Sequence, residues 1–390
     1  MRPPEAGVER LHRRLAGFYF FYYATVGAFM PYWAPYLQAR GFSALQMGVA
    51  FALMGVMRSI VPIAWGWWAD ARGERMRLIR WASVAALLTF MAIPFVDGVG
   101  WIGVLMVAYT LFWHALLPQF EVVTLNHLLV SGGDYSRIRL WGSVGFVVAV
   151  LTLGALLDLT GMLWLPWLVG FFWLGMAGAT WAVSEPPDAY SRDVPRLPIL
   201  SVLRRREVLA FLLVCFCSQL SFAPYYNFFT LFLEQHGYRR SLAGVLWTVG
   251  VVAEIGLFVV IGRYIRRFGA RAVMLLALAT TALRWLLTAT LVDELAVLLL
   301  SQLLHATSFG AYHSVAVFYV QRLFPGALQG RGQAVYNAVA YGVGGSLGSL
   351  GSGLIWDHVS PEAAFAAAAL VAALGLGVAW RDLPSDAPRP

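Results

Sequence analysis

The sequence predicts an all-α membrane protein with twelve transmembrane helices in two six-helix, pseudo-symmetric bundles. Three observations predict this fold. The chain is 60% hydrophobic and only 12% charged, with a mean hydropathy of +0.69, which excludes an ordinary soluble protein. Apolar runs of roughly 18 to 25 residues, each able to cross about 30 Å of hydrocarbon as a helix, recur along the chain. The second half also repeats residues of the first at a constant offset.

The predicted spans alternate with short polar connections. They cover 15–37, 44–69, 78–96, 101–129, 138–159, 162–184, 208–234, 241–263, 271–291, 296–321, 332–356 and 362–381. This pattern predicts a cytoplasmic N-terminal segment (1–14), a first bundle (15–184), a cytoplasmic linker (185–207), a second bundle (208–381) and a cytoplasmic tail (382–390). The first run is too long for the core of a signal peptide and lacks a small-residue cleavage site, so we expect it to remain as a helix.

The formal charge of +8 comes from arginine, because the chain contains no lysine. Most arginines lie in the connections that would be cytoplasmic if the N-terminus is inside, which indicates a topology signal rather than nucleic-acid binding. We therefore expect an integral protein of the inner or plasma membrane with both termini in the cytoplasm. Cys215 and Cys217 lie two residues apart in one apolar run, so neither a disulfide nor a metal site is expected.

The internal repeat has an offset of 196 residues. It aligns Leu37, Gly41, Gly48, Gly66, Gly73 and Arg75 with Leu233, Gly237, Gly244, Gly262, Gly269 and Arg271. Six predicted helices separate the two copies, so both copies have the same orientation in the membrane. This arrangement is typical of carriers with a substrate site near the midplane between parallel repeats.

The connection after the second span resembles the loop signature of the major facilitator superfamily in Gly66, Asp70, Gly73 and Arg75. Its second copy keeps Gly262, Arg267, Gly269 and Arg271, with Arg266 at the acidic position. The resemblance covers the whole chain and implies that both loops gate a conformational change. Segments such as "PYWAPYLQARGF" and "LLHATSFGAYH" are similar to the phenylpropionate permease-like branch, a relative of the lactose permease-type sugar–proton symporters.

Ionisable groups deep inside apolar spans are costly, by roughly 2.5 kcal/mol or more at a helix centre, and usually face a cavity or a partner. The deep groups are Arg58, Glu121, Glu254, Arg284, His305 and His313. The alternative for each of them is a structural ion pair or a side chain near a helix end that snorkels to the membrane surface.

Glu121 and Arg139 lie on consecutive predicted helices, and their spacing also resembles the substrate-binding acid and arginine of the sugar permeases. We expect them to bind substrate, with the acid neutralising the arginine in the empty site, and Trp141 could add a stacking face. A clamp between helices is the alternative. Arg58 is a further substrate-binding candidate, since its guanidinium is available to a substrate carboxylate. Candidates for hydrogen bonds to substrate are Tyr22, Tyr226, Asn227 and Asn337.

Glu254, Arg284, His305 and His313 are the candidates for proton coupling. Glu254 occupies the position equivalent to Arg58, and Arg284 is its alternative partner on the next helix, so protonation of the acid could release an arginine. The two histidines are eight residues apart and can face one cavity. Histidines hydrogen-bonded in the core are the alternative.

We therefore expect a secondary active transporter rather than an enzyme. The favoured activity is proton-coupled uptake of a small organic solute, an aromatic or other organic acid above all, by alternating access. The alternatives are a sugar or nucleoside symporter and a multidrug efflux carrier. We expect no cofactor and no metal, because the proton gradient supplies the energy and the lysine of a phosphate-binding loop is missing. The expected partners are the solute, protons and the lipid bilayer, with the protein acting as a monomer.

Overall fold

The computed structural model describes residues 5–185 and 199–384, and within these ranges every regular element is helical. The first half contains α1 (Glu5–Phe29), α2 (Trp33–Ala39), α3 (Ala44–Arg72), α4 (Arg75–Met91), α5 (Val99–Ser131), α6 (Tyr135–Thr160) and α7 (Leu165–Trp181). The second half contains α8 (Leu200–Leu203), α9 (Arg206–Gln235), α10 (Arg240–Phe268), α11 (Ala270–Thr290), α12 (Leu295–Leu303), α13 (Tyr312–Leu323), α14 (Gln329–Asn337), α15 (Gly345–His358) and α16 (Pro361–Asp382). Most of the predicted linker, residues 186–198, lies outside the described residues.

Two π-helical segments interrupt the second half. Ala306–Ala311 joins α12 to α13, and Ala338–Gly344 joins α14 to α15. Each joined run is continuous enough to count as one membrane span, Leu295–Leu323 and Gln329–His358. A π segment widens the helix locally and is frequent at functional sites.

Among the described residues, eleven helical runs are long and apolar enough to cross a membrane. They correspond to eleven of the twelve predicted spans. The remaining prediction, 15–37, falls across α1 and α2, which are separated by a turn that includes Pro31. Proline has no backbone N–H and clashes with the preceding turn, so it ends the regular hydrogen bonding there.

The helix bounds reproduce the repeat of 196 residues. Helices α3 and α10 both contain 29 residues, and they begin at 44 and 240 and end at 72 and 268. Helices α5 and α12 begin at 99 and 295, and α7 and α16 begin at 165 and 361. The all-helical, twofold-repeated fold that the sequence predicts is therefore confirmed.

The described residues form two compact units. Unit 1 contains residues 5–42, 57–185 and 239–244, and unit 2 contains residues 43–56, 199–238 and 245–384. Each unit thus includes the first residues of one helix, α10 or α3, whose remainder belongs to the other unit. These short exchanged segments differ from the predicted bundles, which follow the sequence halves.

Close backbone contacts hold the helices of each unit. In unit 1, a Cβ at Gly27 of α1 would lie 2.7 Å from the Phe146 carbonyl oxygen of α6. In unit 2, a Cβ at Gly348 of α15 would lie 2.6 Å from the Leu220 carbonyl oxygen of α9. Glycine is needed at such points because any side chain would force the backbones apart.

Candidate functional site

Unit 2 contains a buried polar cluster that involves three consecutive membrane helices. Glu254 comes from α10, Arg284 from α11, and His305 from the last turn before the π segment that follows α12. Arg284 is fully buried, and His305 is 4% exposed. The sequence pointed to all three residues, and the structure brings them together.

Arg284 is held mainly by neutral groups. Its Nη1 donates to His305 Nδ1 at 2.8 Å, and its Nη2 donates to Gln302 Oε1 at 3.1 Å. Its guanidinium carbon lies 4.2 Å from the Tyr225 ring centroid and 4.5 Å from that of Trp285, distances typical of cation–π contacts. A buried arginine with mostly neutral partners keeps a positive charge that a further anion can balance.

His305 lies between Arg284 and Glu254 and contacts both of them. The sequence had instead suggested Arg284 as a direct alternative partner of Glu254. The His305 Nε2 atom lies 3.3 Å from Glu254 Oε2. Arginine can only donate, so His305 Nδ1 accepts from Arg284 and its Nε2 carries the proton toward Glu254. The three residues therefore form a directed chain of hydrogen bonds from the arginine to the carboxylate.

Aromatic rings surround this chain. His305 stacks on Phe309 with centroids 5.4 Å apart, and Phe309 stacks on His313 at 5.9 Å. His305 and His313 therefore share one side of the helix, as their spacing suggested. Tyr226, a predicted substrate residue, packs on Phe309 at 6.1 Å. The arrangement places an apolar, ring-lined wall beside the buried charge.

Unit 1 contains a second polar cluster around Glu121 and Arg139. The Tyr135 hydroxyl donates to Glu121 Oε1 at 3.1 Å. The Arg139 guanidinium lies 3.8 Å from the Tyr23 ring centroid and 5.9 Å from that of Tyr19. Within the described part of the chain, Glu121 and Arg139 form no direct ion pair, in contrast to the expectation from their spacing. Each is satisfied locally by tyrosines instead.

Three other predicted substrate residues, Tyr22, Arg58 and Trp141, also belong to unit 1. Tyr22 is buried and packs on Phe18 with centroids 5.9 Å apart. Arg58 lies midway along α3, is exposed, and interacts electrostatically with Tyr22. Trp141 is 51% exposed, and it lies two residues after Arg139, on a different face of α6. The structure therefore does not bring Trp141 to the Arg139 guanidinium.

Two predicted residues of unit 2 have partners within their own bundle. The Asn227 amide donates to Ser349 Oγ at 2.7 Å, which ties α9 to α15. Asn337 is exposed and accepts a hydrogen bond from Gln333 at 3.3 Å. Among the described residues, no group of three or more His, Cys, Asp or Glu side chains is arranged to hold a metal ion.

The two predicted gating loops differ in how their arginines are bound. In the first loop Arg75 pairs with Asp70 and donates to Gln119 Oε1 at 2.5 Å. In the second loop Arg271 donates to the Trp380 carbonyl oxygen, and Arg267 lies over the Phe268 ring at 5.2 Å.

The four predicted glycines of the gating loops differ in how strongly the backbone requires glycine. Gly73 and Gly269 have φ values of 71° and 84°, a left-handed conformation that favours glycine. Gly66 and Gly262 have more room, since an added Cβ would meet only side-chain atoms at 3.4 and 3.6 Å. The turn glycines therefore have a conformational reason for their identity, and the helix glycines do not show the same constraint.

Two carboxylates that cap helix N-termini were not predicted from the sequence. In unit 2, Asp357 accepts from the backbone N–H groups of Ala44 and Leu45 at 3.0 and 2.8 Å. In unit 1, Asp158 accepts from those of Arg240 and Ser241 at 3.0 and 3.1 Å. A carboxylate in this position satisfies N–H groups that lack helical partners and complements the helix dipole. Both capped ends belong to the exchanged segments.

The signal for these caps was present in the sequence. Each aspartate follows a glycine by four residues, Gly154 or Gly353. A Cβ at Gly154 would lie 2.8 Å from the Arg240 carbonyl oxygen. Gly154 therefore allows the backbone at Arg240 to approach α6 closely, and Asp158, one turn later, accepts the hydrogen bonds from its N–H groups.

Comparison with known proteins agrees with this architecture. A family model described as MFS_1 like family matches residues 12–367. The chain is 29% identical over 389 residues to a "Probable 3-phenylpropionic acid transporter" of Escherichia coli, with 96% of this chain and 98% of that protein covered. It is 28% identical over 353 residues to a maltose permease of Geobacillus stearothermophilus, with 87% and 86% covered.

A solved structure of the nucleoside transporter NupG shares the fold. It superposes with a TM-score of 0.82 at 15% sequence identity, and the match covers 95% of this chain and 97% of that one. At this identity the likeness concerns the fold alone. The family model, in contrast, spans most of the sequence, so the chain belongs to the MFS_1-like family and is a transporter of the major facilitator superfamily.

Proposed function

We propose that this transporter couples the uptake of a small aromatic or other organic acid to the entry of protons. The observation that carries the proposal is the chain from Arg284 through His305 to Glu254 inside unit 2, with aromatic rings beside it. This chain of hydrogen bonds would combine a site for an anion, at Arg284, with a site for a proton, at Glu254.

The Arg284 guanidinium suits a substrate carboxylate. Its Nε is buried and has no hydrogen-bond partner among the described residues, so one donor of the fork is still available. A hydrogen bond from this N–H to a carboxylate oxygen would join two opposite charges, which makes it stronger than a hydrogen bond between neutral groups. The rings of Tyr226 and Phe309 would receive the apolar part of the solute. The name of the Escherichia coli relative, "Probable 3-phenylpropionic acid transporter", supports a substrate with both features.

Electrostatics would link the proton to the solute. While Glu254 is ionised, its charge partly balances Arg284 through the polarised His305 ring. Protonation of Glu254 removes that balance, so an anionic solute binds Arg284 more favourably. By thermodynamic reciprocity, binding of the anion and binding of the proton would favour each other. The proton and the anionic solute would therefore enter and leave together.

The Glu121 and Arg139 cluster is proposed as a separate candidate for solute binding within unit 1. There Arg139, which lies over the Tyr23 ring, would supply a guanidinium, and Glu121 would supply an acceptor. We further propose that the protein acts as a monomer in the inner or plasma membrane, with both termini in the cytoplasm and no cofactor other than the proton gradient. The arginine surplus in the connections supports this orientation.

The test is uptake of labelled 3-phenylpropionate into proteoliposomes with an imposed inward proton gradient. We expect accumulation that a protonophore abolishes, and we expect Arg284→Gln to remove it while Arg14→Gln, a change of an exposed arginine, retains it. Uptake that is unaffected by the protonophore would contradict proton coupling. Selective uptake of maltose or a nucleoside would contradict the acid and support a sugar or nucleoside symporter, and extrusion of apolar dyes would support efflux.

A further inference from the structure

A basic pocket opens at the end of unit 2 where α10 meets α11. Its volume is about 850 Å³. Its charged and aromatic lining consists of Arg266, Arg267, Arg271, Arg322, Phe318 and Trp380. No acidic side chain contributes to the lining among the described residues. A pocket with four guanidinium groups and no carboxylate favours an anion.

At the equivalent position of the first repeat, where α3 meets α4, carboxylates of the protein bind the arginine and the free N–H groups of the helix. There Asp70 pairs with Arg75, and Glu185 accepts from the first two backbone N–H groups of α4, both at 2.9 Å. In the second repeat, 196 residues later, the Asp70 position is Arg266 and the Glu185 position is Arg381. The second repeat thus replaces both acids by arginine.

Asp382, which follows the pocket residue Trp380 by two positions, has other partners. Asp382 pairs with Arg206 at 2.5 Å and lies 4.0 Å from Arg381. The N-terminus of α11, a helix of 21 residues, also faces the pocket through Gly269 and Ala270. Its dipole adds to the positive potential of the arginines.

We propose that this pocket binds the phosphate group of an anionic phospholipid. The lipid phosphate would occupy the place that Asp70 and Glu185 fill in the first repeat. Basic pockets at the cytoplasmic ends of membrane helices are suited to such head groups. Phe318 and Trp380 are exposed beside the arginines, and their rings would contact the lipid's glycerol and acyl region. The bound lipid would stabilise the end of α10 and α11.

The experiment measures thermal unfolding of the purified protein in neutral detergent with added phosphatidylglycerol, phosphatidylcholine or inorganic phosphate. We expect phosphatidylglycerol to raise the melting temperature and phosphatidylcholine to leave it unchanged. Arg266→Asp restores the acid of the first repeat and changes the local charge by two units. Because each unit contributes roughly a factor of five, this variant should weaken phosphatidylglycerol binding about 25-fold. Arg14→Asp makes the same charge change at an exposed site of unit 1 and should retain full binding.

Arg267→Gln provides a milder variant, for which we expect a loss of about fivefold. Retention of phosphatidylglycerol counted by native mass spectrometry gives an independent readout for any variant with reduced stability. Equal stabilisation of the unmodified protein and both pocket variants by phosphatidylglycerol would overturn the proposal. A response to inorganic phosphate that requires Arg266, without a response to phosphatidylglycerol, would overturn the lipid assignment in favour of a soluble phosphate.

Discussion

Replacing Glu254 by glutamine isolates the negative charge at the end of the buried chain. The variant keeps the size of the side chain and an acceptor for His305 Nε2, which lies 3.3 Å from the carboxylate in the unmodified protein. The fully buried Arg284 then has only neutral partners in the chain of hydrogen bonds. The substitution therefore changes charge much more than packing.

The structure gives the size of the effect. The His305 ring separates the two charges, with contacts of 2.8 Å to Arg284 and 3.3 Å to Glu254. If these contacts and the width of the ring set a separation on the order of 8 Å, an effective dielectric constant of about 20 corresponds to roughly 2 kcal/mol. We expect Glu254→Gln to lower the free energy of unfolding by about that amount. In proteoliposomes, the same variant should exchange labelled solute but should no longer accelerate uptake when an inward proton gradient is imposed.

A double-mutant cycle with Arg284→Gln separates the charge interaction from other effects. When both charges are removed, no buried charge is left unbalanced, so the double variant should be more stable than the sum of the single changes predicts, by about 2 kcal/mol. Glu294→Gln, a change of an exposed acid before α12, is the matched control and should behave like the unmodified protein. Additive stabilities, or a proton-driven uptake that persists in Glu254→Gln, would refute the reasoning.

Two further predictions concern the scaffold. Gly27→Ala places a Cβ 2.7 Å from the Phe146 carbonyl oxygen and should cost about 1 to 3 kcal/mol through overpacking. Gly178→Ala, in open space on α7, should be neutral or stabilising by about 0.5 to 1 kcal/mol, and equal thermal stability of the two variants would contradict the packing argument. Glu185→Ala removes the carboxylate at the start of α4 and should lower stability by about 1 kcal/mol. An unchanged melting temperature in Glu185→Ala would show that water replaces this cap without loss.

The fold was predictable because a bilayer constrains the sequence more strongly than water does. Each span must satisfy its backbone internally and present apolar side chains, so the spans appear directly as apolar runs. The offset of 196 residues survives in the bounds of α3 and α10 because both copies perform the same crossing. The exchanged segments could not be predicted, since membership of a unit depends on contacts such as Asp357 with Leu45, which lie 312 residues apart in the chain.

The site was predictable in composition and less so in connectivity. The cost of burying charge marked Glu254, Arg284 and His305 from the sequence alone. Their order in the chain of hydrogen bonds depends on the position of His305 directly before the π segment, to which no sequence pattern pointed. The expected direct pair of Glu121 and Arg139 is likewise replaced by contacts with tyrosines, which the spacing of the two residues did not reveal.

The placement of His305 between arginine and acid changes what the chain can do. A direct ion pair would hold both charges in one stable contact, and a solute would have to break it. With a neutral ring between them, Arg284 keeps its Nε–H for a second anion while Glu254 remains coupled to its charge. Under the proposed function, a proton on Glu254 and an anion on Arg284 would not compete for the same hydrogen bonds. For a carrier that moves a proton and an acid in one step, this is the arrangement that electrostatics favours.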